Sequence, residues 1–269
     1  QIVALTTDQV AVLTTAQVSA VEAADVAVLT TDQIAALTTA QIQKGLTAEQ
    51  LVALTTDQMM AFATNQLVAL GTAQVAVLET DDVMALTTDQ VTVLTTAQVS
   101  AVEAADVAVL TTDQIAALTT AQIQKGLTAE QLVALTSDQI VALTTDQVAV
   151  LTTAQVSAVE AADVATLTTD QIAALTTAQI QKGLTAEQLV ALTTDQMMAF
   201  ATNQVAALTT AQVSVIETVD IAALTTDQIA AMTTAQVQKG LSVDQVVALT
   251  TDQIAALTTA QIQKGLTAE

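Results

Sequence analysis

The sequence predicts an all-α solenoid of short, capped helices. Three observations predict this fold. An octapeptide, LTTDQVAV at Leu5–Val12, returns with small changes along the whole chain of 269 residues. Nearly every copy carries the letters of a helix-capping box, and its apolar residues keep the same places in the repeat. Because one such helix is unstable alone, the units must gain their stability by stacking on one another.

The segment Leu5–Val10 carries the signals of a helix start. The Thr6 hydroxyl can accept from the Gln9 backbone N–H while the Gln9 side chain accepts from the N–H of Thr6, which is a capping box. Leu5 and Val10 hold the hydrophobic staple positions, and Asp8 suits the positive end of the helix dipole. The next box begins at Thr14. Each helix therefore spans fewer than two turns and ends in a sharp corner.

Two other folds compete with this interpretation. In one continuous helix, an eight-residue apolar pattern would drift by roughly 80° per repeat, so that no lasting seam forms. A β-solenoid would need Gly, Asn or Pro at its corners, whereas this repeat has Ala and Gln, which are poor turn and strand formers. The short-helix solenoid is favoured, and the β-solenoid is kept as the alternative.

The repeat predicts one continuous array over residues 1–269. We number the units from Leu5 and count positions one to eight from Leu5 to Val12. One extra residue follows the letters Gln-Lys in five units, and a left-handed helix cap is expected there because glycine permits it. Without these insertions the length equals 33 octapeptides. The insertions are Gly45, Gly126, Gly183, Gly240 and Gly265.

The two ends of the sequence read as two halves of one unit. Leu266–Glu269 joined to Gln1–Ala4 resembles the internal segment at residues 46–53. We therefore expect successive periods to meet head to tail, either covalently or between copies. Positions one and six are apolar throughout and form the predicted core.

The composition excludes several function classes. The chain contains no His, Cys, Tyr, Trp, Pro or Arg, and its net charge is −22. Phosphate binding needs clustered Lys and Arg, so nucleic acid is not an expected partner. Apolar runs are too short to span a membrane. Nucleophile–base pairs have almost no residues from which to form, so we expect no enzyme and no cofactor.

A linked pair of acidic residues marks five units. In these units Glu replaces Thr at position two and Asp replaces Gln at position five. Two carboxylates three residues apart could hold Ca²⁺, although calcium takes six to eight oxygens, or they could form an acidic substitute for the capping box on a solvated face. The candidate metal ligands are Glu22, Asp25, Glu79, Asp82, Glu103, Asp106, Glu160, Asp163, Glu217 and Asp220.

The spacing of the marked units gives a prediction for the coil. Acidic pairs fall in units 3, 10, 13, 20 and 27, and the Lys-Gly insertions fall in units 5, 15, 22, 29 and 32. A coil of roughly 3.4 units per turn would place like units on one side. This predicts an acidic edge and a basic edge that contact neighbouring copies laterally. The lysines for this contact are Lys44, Lys125, Lys182, Lys239 and Lys264.

The LTTDQ and LTTAQ units resemble the octapeptide Thr/Gln/Ala-rich arrays of very large bacterial secreted or cell-surface proteins. The resemblance covers the whole chain and implies an extracellular or cell-surface location without an assigned activity. The leading hypothesis is a structural segment of a filament, sheath or adhesin stalk that associates with copies of itself. The alternatives are a repeat module that binds Ca²⁺ or a basic partner and, as a minor one, an ice-binding threonine array.

Overall fold

Residues 2–265 are described by the computed structural model, and within them the chain forms short helices and no strand. The chain divides into two compact bodies, Gln1–Leu135 and Thr136–Glu269, which we describe separately. Nearly every helix has between four and seven residues. The all-α solenoid of short helices is confirmed, and the β-solenoid and the continuous helix are not.

Units 1 to 32 each contain one helix. In the N-terminal body a 3₁₀ turn, Ile2–Ala4, comes before the first unit. Unit 15 forms the π-helix Gln122–Gly126. The α-helices of this body are Thr7–Ala11, Thr15–Ser19, Ala23–Val26, Thr31–Ala35, Thr39–Gly45, Ala48–Val52, Thr56–Met60, Thr64–Ala69, Thr72–Val75, Thr80–Ala85, Thr88–Val93, Thr96–Ala101, Ala104–Val107, Thr112–Ala117 and Ala129–Ala134.

The C-terminal body has the same construction. Unit 29 forms the π-helix Gln236–Gly240. The α-helices of this body are Ser137–Ala142, Thr145–Val150, Thr153–Ala158, Ala161–Val164, Thr169–Ala174, Thr177–Lys182, Ala186–Ala191, Thr194–Met198, Thr202–Ala207, Thr210–Ser214, Thr218–Ala223, Thr226–Ala231, Val243–Ala248, Thr251–Ala256 and Thr259–Gly265.

Capping boxes start the helices as the sequence predicts. In the first unit the Gln9 N–H donates to the Thr6 hydroxyl and the Thr6 N–H donates to Gln9 Oε1, over 3.3 and 2.9 Å. The Thr6 backbone is extended, with φ −74° and ψ 161°, so the chain turns a corner just before each helix. Ala63 and Gly71 lack the hydroxyl, yet Gln66 and Gln74 still accept from their N–H groups.

Within each body, a helix stacks on the helix three units earlier in the chain. Unit 5 lies on unit 2 and unit 8 on unit 5, and this step of three holds within both bodies. This step says which helices touch, whereas the hydrogen bonds between coils join residues 26 to 32 positions apart, more than three octapeptides contain. Roughly 3.4 units per turn therefore stays the prediction. We call a set of units stacked at this step a column, so each body has three columns.

A bridging glutamine joins each coil to the coil before it. In unit 12, Gln98 Oε1 accepts from the Thr95 N–H at 2.8 Å. The Gln98 Nε2 donates to Leu67 O at 2.7 Å and to Leu70 O at 2.9 Å, 31 and 28 residues earlier. These carbonyls end one helix and form the corner before the next. One side chain thus caps its own helix and satisfies two buried carbonyls of the preceding coil.

The same pair of carbonyl bonds recurs in the C-terminal body. Gln179 donates to Val148 O and Leu151 O, both at 2.8 Å. Most glutamines at position five are buried. Positions one and six also supply the buried apolar side chains, such as Leu118 and Ile115, as the sequence predicts. The core is therefore a run of aliphatic side chains enclosed by bonded amides.

The inserted glycines do not form left-handed caps, so that expectation is wrong. No described glycine has a positive φ. The extra residue is absorbed by a wide turn, in which the Leu46 N–H donates to Gln41 O, five residues back, at 2.9 Å. Glycine is needed because of close packing: a Cβ on Gly45 would lie 3.1 Å from Val18 Cβ, one coil earlier.

We expect Gln98→Glu to destabilise the N-terminal body by about 2–4 kcal/mol, since buried carbonyls lose their donor and face a carboxylate. The Glu side chain can still accept from Thr95, so the cap itself is kept. Urea denaturation would measure the change. Gln9→Glu is the matched control, because Gln9 is exposed and makes only its capping bonds among the described residues. Equal losses in both variants would contradict the bridging role.

Gly126→Ala is expected to cost about 1–3 kcal/mol through overpacking against Val99, which lies 3.1 Å from the new Cβ. Gly71→Ala is the control, because its Cβ would meet only Gln74 Oε1 at 3.6 Å. Thermal unfolding of both variants would test this. An unchanged thermal stability of Gly126→Ala would show that glycine is not required by close packing at this position.

Candidate functional site

The five acidic units depart from the capping box. Glu22, Glu79, Glu103, Glu160 and Glu217 all occupy the N-cap position, and none of them makes a side-chain capping bond. A glutamate is not a side chain that the N-cap position favours. The acidic pair is therefore not a direct substitute for the Thr–Gln box.

Aspartates at position five link adjacent coils in a different way. Asp106 Oδ1 accepts from the Thr80 hydroxyl at 2.6 Å. Asp163 accepts from Ser137 at 2.6 Å and Asp220 from Thr194 at 2.7 Å. Each hydroxyl lies at position three of the unit stacked beneath. An aspartate cannot donate as glutamine does, so the bond runs from the earlier coil to the later one.

Asp82 is the most buried of these aspartates, with 2 % of its surface exposed. Burial and, to a smaller extent, the charges of Glu79 and Asp81 raise the pKa of Asp82 to about 6, and a hydrogen bond with the Glu79 backbone opposes the shift. Among the described contacts Asp82 has no bond to Thr56, the residue that corresponds to Thr80 one coil earlier. By contrast, Asp25 is exposed.

The structure brings only two of the acidic pairs together. Units 10 and 13 are neighbours in one column, and an open cleft between them is lined by Glu79, Asp81, Glu103 and Asp106. The pairs of units 3, 20 and 27 have no second pair beside them. Over residues 2–265 no group of three or more acidic side chains is close enough to hold a metal ion. Calcium binding by the ten candidate residues stays a prediction.

Acidic residues concentrate in one column of the N-terminal body, the one that contains units 1, 4, 7, 10, 13 and 16. It has no lysine and carries Asp8, Asp32, Asp57, Glu79, Asp81, Asp82, Glu103, Asp106 and Glu130. The other two columns carry fewer, namely Glu22, Asp25 and Glu49 in one and Asp89 and Asp113 in the other. We call the first set the acidic column.

The basic edge formed by the five lysines stays a prediction. In the N-terminal body, Lys44 and Lys125 belong to different columns, on units 5 and 15. In the C-terminal body, Lys239 and Lys264 share a column and Lys182 lies on another. All five lysines are exposed.

The sequence interpretation missed the second role of glutamine. It identified the capping bond, which either Glu or Gln can make. A signal was nevertheless present, since position five is Gln or, in the acidic units, Asp, and never Glu. An amide is required there because Nε2 must donate to carbonyls of the preceding coil, as Gln122 does to Val91 O and Leu94 O.

The family of the chain follows from the repeated unit. A model of the ALTTAQ repeat matches residues 56–88, 107–145, 126–161, 156–194, 213–251 and 239–264, which together cover more than half of the sequence. The chain belongs to the ALTTAQ repeat family. This confirms the resemblance to Thr/Ala/Gln-rich arrays. No curated protein matches the chain. Among its described residues, no helix of this ALTTAQ array has the length and apolar character needed to cross a membrane.

Asp82→Asn should remove a pH dependence from the N-terminal body. Because the folded pKa of Asp82 is raised from 3.8 to about 6, the folded state binds this proton more tightly than the unfolded state does. Proton binding at Asp82 therefore stabilises the folded state below pH 4, and this stabilisation is lost as the pH rises through 6. Near pH 7.5 we expect the variant to be more stable than the wild type by roughly 1–3 kcal/mol.

Urea denaturation at pH 4.5 and 7.5 would measure this effect. The control is Asp89→Asn, which removes an exposed charge from the neighbouring unit. It corrects for the general relief of repulsion in an acidic chain. A similar pH response in both variants would contradict the assignment to Asp82.

Proposed function

We propose that this ALTTAQ array is a structural segment of an extracellular filament, sheath or adhesin stalk, in which coils add end to end. The observation that supports this role is the bridging glutamine. Within each body, coils bond to their predecessors through the same groups, as in Gln41 to Val10 O and Leu13 O and in Gln236 to Val205 O and Leu208 O. Such an interaction sets no limit on the number of coils.

The composition and the sites support a mechanical role in preference to catalysis. Nearly identical units repeat the same contacts, and the chain has no His, Cys, Tyr or Arg. The enclosed spaces are apolar and lie along the core, such as the one between Val148, Val159 and Leu175. A catalytic site usually combines a pocket with converging polar groups, which this core lacks. We therefore do not propose an enzyme.

At both ends of residues 2–265, the structure shows groups that a further coil, of the same chain or of another copy, would use. Gln9 and Gln17 are exposed, and their Nε2 atoms donate to no carbonyl among the described residues. At the other end, Ile254 and Ile262 hold core positions but are 38 % and 41 % exposed. Stacking a second copy would pair these amides with the corner carbonyls and cover the isoleucines.

End-to-end association is expected to be lost when Gln9 and Gln17 are both changed to Glu. Sedimentation velocity over a range of protein concentrations would measure the association, at a salt concentration that screens the net charge of −22. Gln43→Glu together with Gln124→Glu is the matched control, since these exposed glutamines lie outside the bridging position. A wild type that stays monomeric at every concentration would contradict end-to-end stacking.

A cation- or basic-partner-binding module is the second candidate, and the acidic column supports it. Its cleft between Glu79 and Glu103 is where two acidic pairs meet. Calorimetry with Ca²⁺ would test this candidate. Saturable binding that disappears in the double variant Glu79→Gln and Glu103→Gln favours it, and a heat indistinguishable from that of dilution counts against it.

Ice binding by a threonine array stays a prediction. The capping threonines already form hydrogen bonds within their capping boxes, as Thr6 does with Gln9.

A further inference from the structure

The chain contains two classes of glutamine. Glutamines at position five form the capping and bridging bonds described above. The other class occurs at position seven, and only in the units that carry the Lys-Gly insertion. These side chains are exposed and make no hydrogen bond within the described residues. They are Gln43, Gln124, Gln181, Gln238 and Gln263.

Every lysine of the chain directly follows one of these glutamines. All five lysines are exposed, and none forms an ion pair in the part of the chain that the structure describes. The chain has 27 acidic residues, so unpaired lysines are not explained by a shortage of partners. The negative end of the helix dipole favours a lysine at the helix C-terminus. It gives no reason for the glutamine beside that lysine.

The backbone at these positions departs from the regular helix. Residues 122–126 and 236–240 form π-helical turns, and Leu127 and Leu241 each close a wide turn at 2.9 Å. An exposed carboxamide next to such a turn can enter an external active site without disturbing the bridging glutamines. The primary amine beside it is equally accessible.

We infer that the five Gln-Lys pairs are sites of covalent cross-linking between copies of this chain. A protein-glutamine γ-glutamyltransferase would supply the catalysis. The Nζ of a lysine on one copy attacks Cδ of a glutamine on another, the Cδ–Nε2 bond breaks, and ammonia leaves as the isopeptide bond forms. Each pair provides both an acyl donor and an amine, so one kind of chain suffices. The inference goes beyond the proposed role, in which coils add end to end, because it requires that copies also meet side by side.

The test treats the full chain with such an enzyme, first with a primary-amine probe and then without it. Mass spectrometry should find the probe on the five position-seven glutamines and not on the buried bridging ones. Without the probe, covalent multimers should form with γ-glutamyl-lysine bonds at the five lysines. Absence of probe from all five glutamines, while an unfolded substrate protein is labelled in parallel, would overturn the inference.

Two matched variants separate the donor from the acceptor. Changing all five lysines to Arg keeps the charge and should abolish the multimers while probe incorporation continues. Changing the five glutamines to Asn should abolish both. Circular dichroism would verify that each variant keeps its helices. Multimers that persist in either variant would contradict these sites. End-to-end stacking is measured without enzyme, so its failure is distinguishable from a failure of cross-linking.

Discussion

The glutamine at position five is the constraint on which the rest of the structure depends. Helices of four to seven residues expose most of their backbone groups at their ends, and burying those groups without partners would cost free energy. Gln98 satisfies an N–H of its own helix and two carbonyls of the preceding coil. Because the reach of this side chain is limited, it also limits how adjacent coils can stack.

Aspartate in the same position changes the chemistry between coils locally. A carboxylate cannot donate to the carbonyls, so Asp106 and Asp220 accept from hydroxyls of the unit beneath. Where no such bond forms, as at Asp82, burial works against the charge. The acidic units are thus points where the regular bonding is replaced, and two of them lie beside each other in the acidic column.

The lysine units form the other departure from regularity. Their extra residue widens the helix end. Because this residue is glycine and has no Cβ, the backbone at Gly126 can approach Val99 of the coil beneath. The glutamine and lysine before it are left exposed. Close packing on the inner side and exposed polar side chains on the outer side therefore occur together in one short segment. A repeat array with few distinct residues gains its chemical variety at such interruptions.

Local chemistry let the sequence by itself determine the helix starts, the core positions and the family, because a capping box and its staple lie within six consecutive residues, as at Leu5–Val10. Only the tertiary structure decided which helices stack on each other, the bridging role of Gln98 and the close approach of Gly45 to Val18. These features depend on residues about 27 to 32 positions apart. The letters of one octapeptide do not show which unit lies beneath it in the preceding coil. The grouping of acidic residues into one column followed from the stacking step of three units.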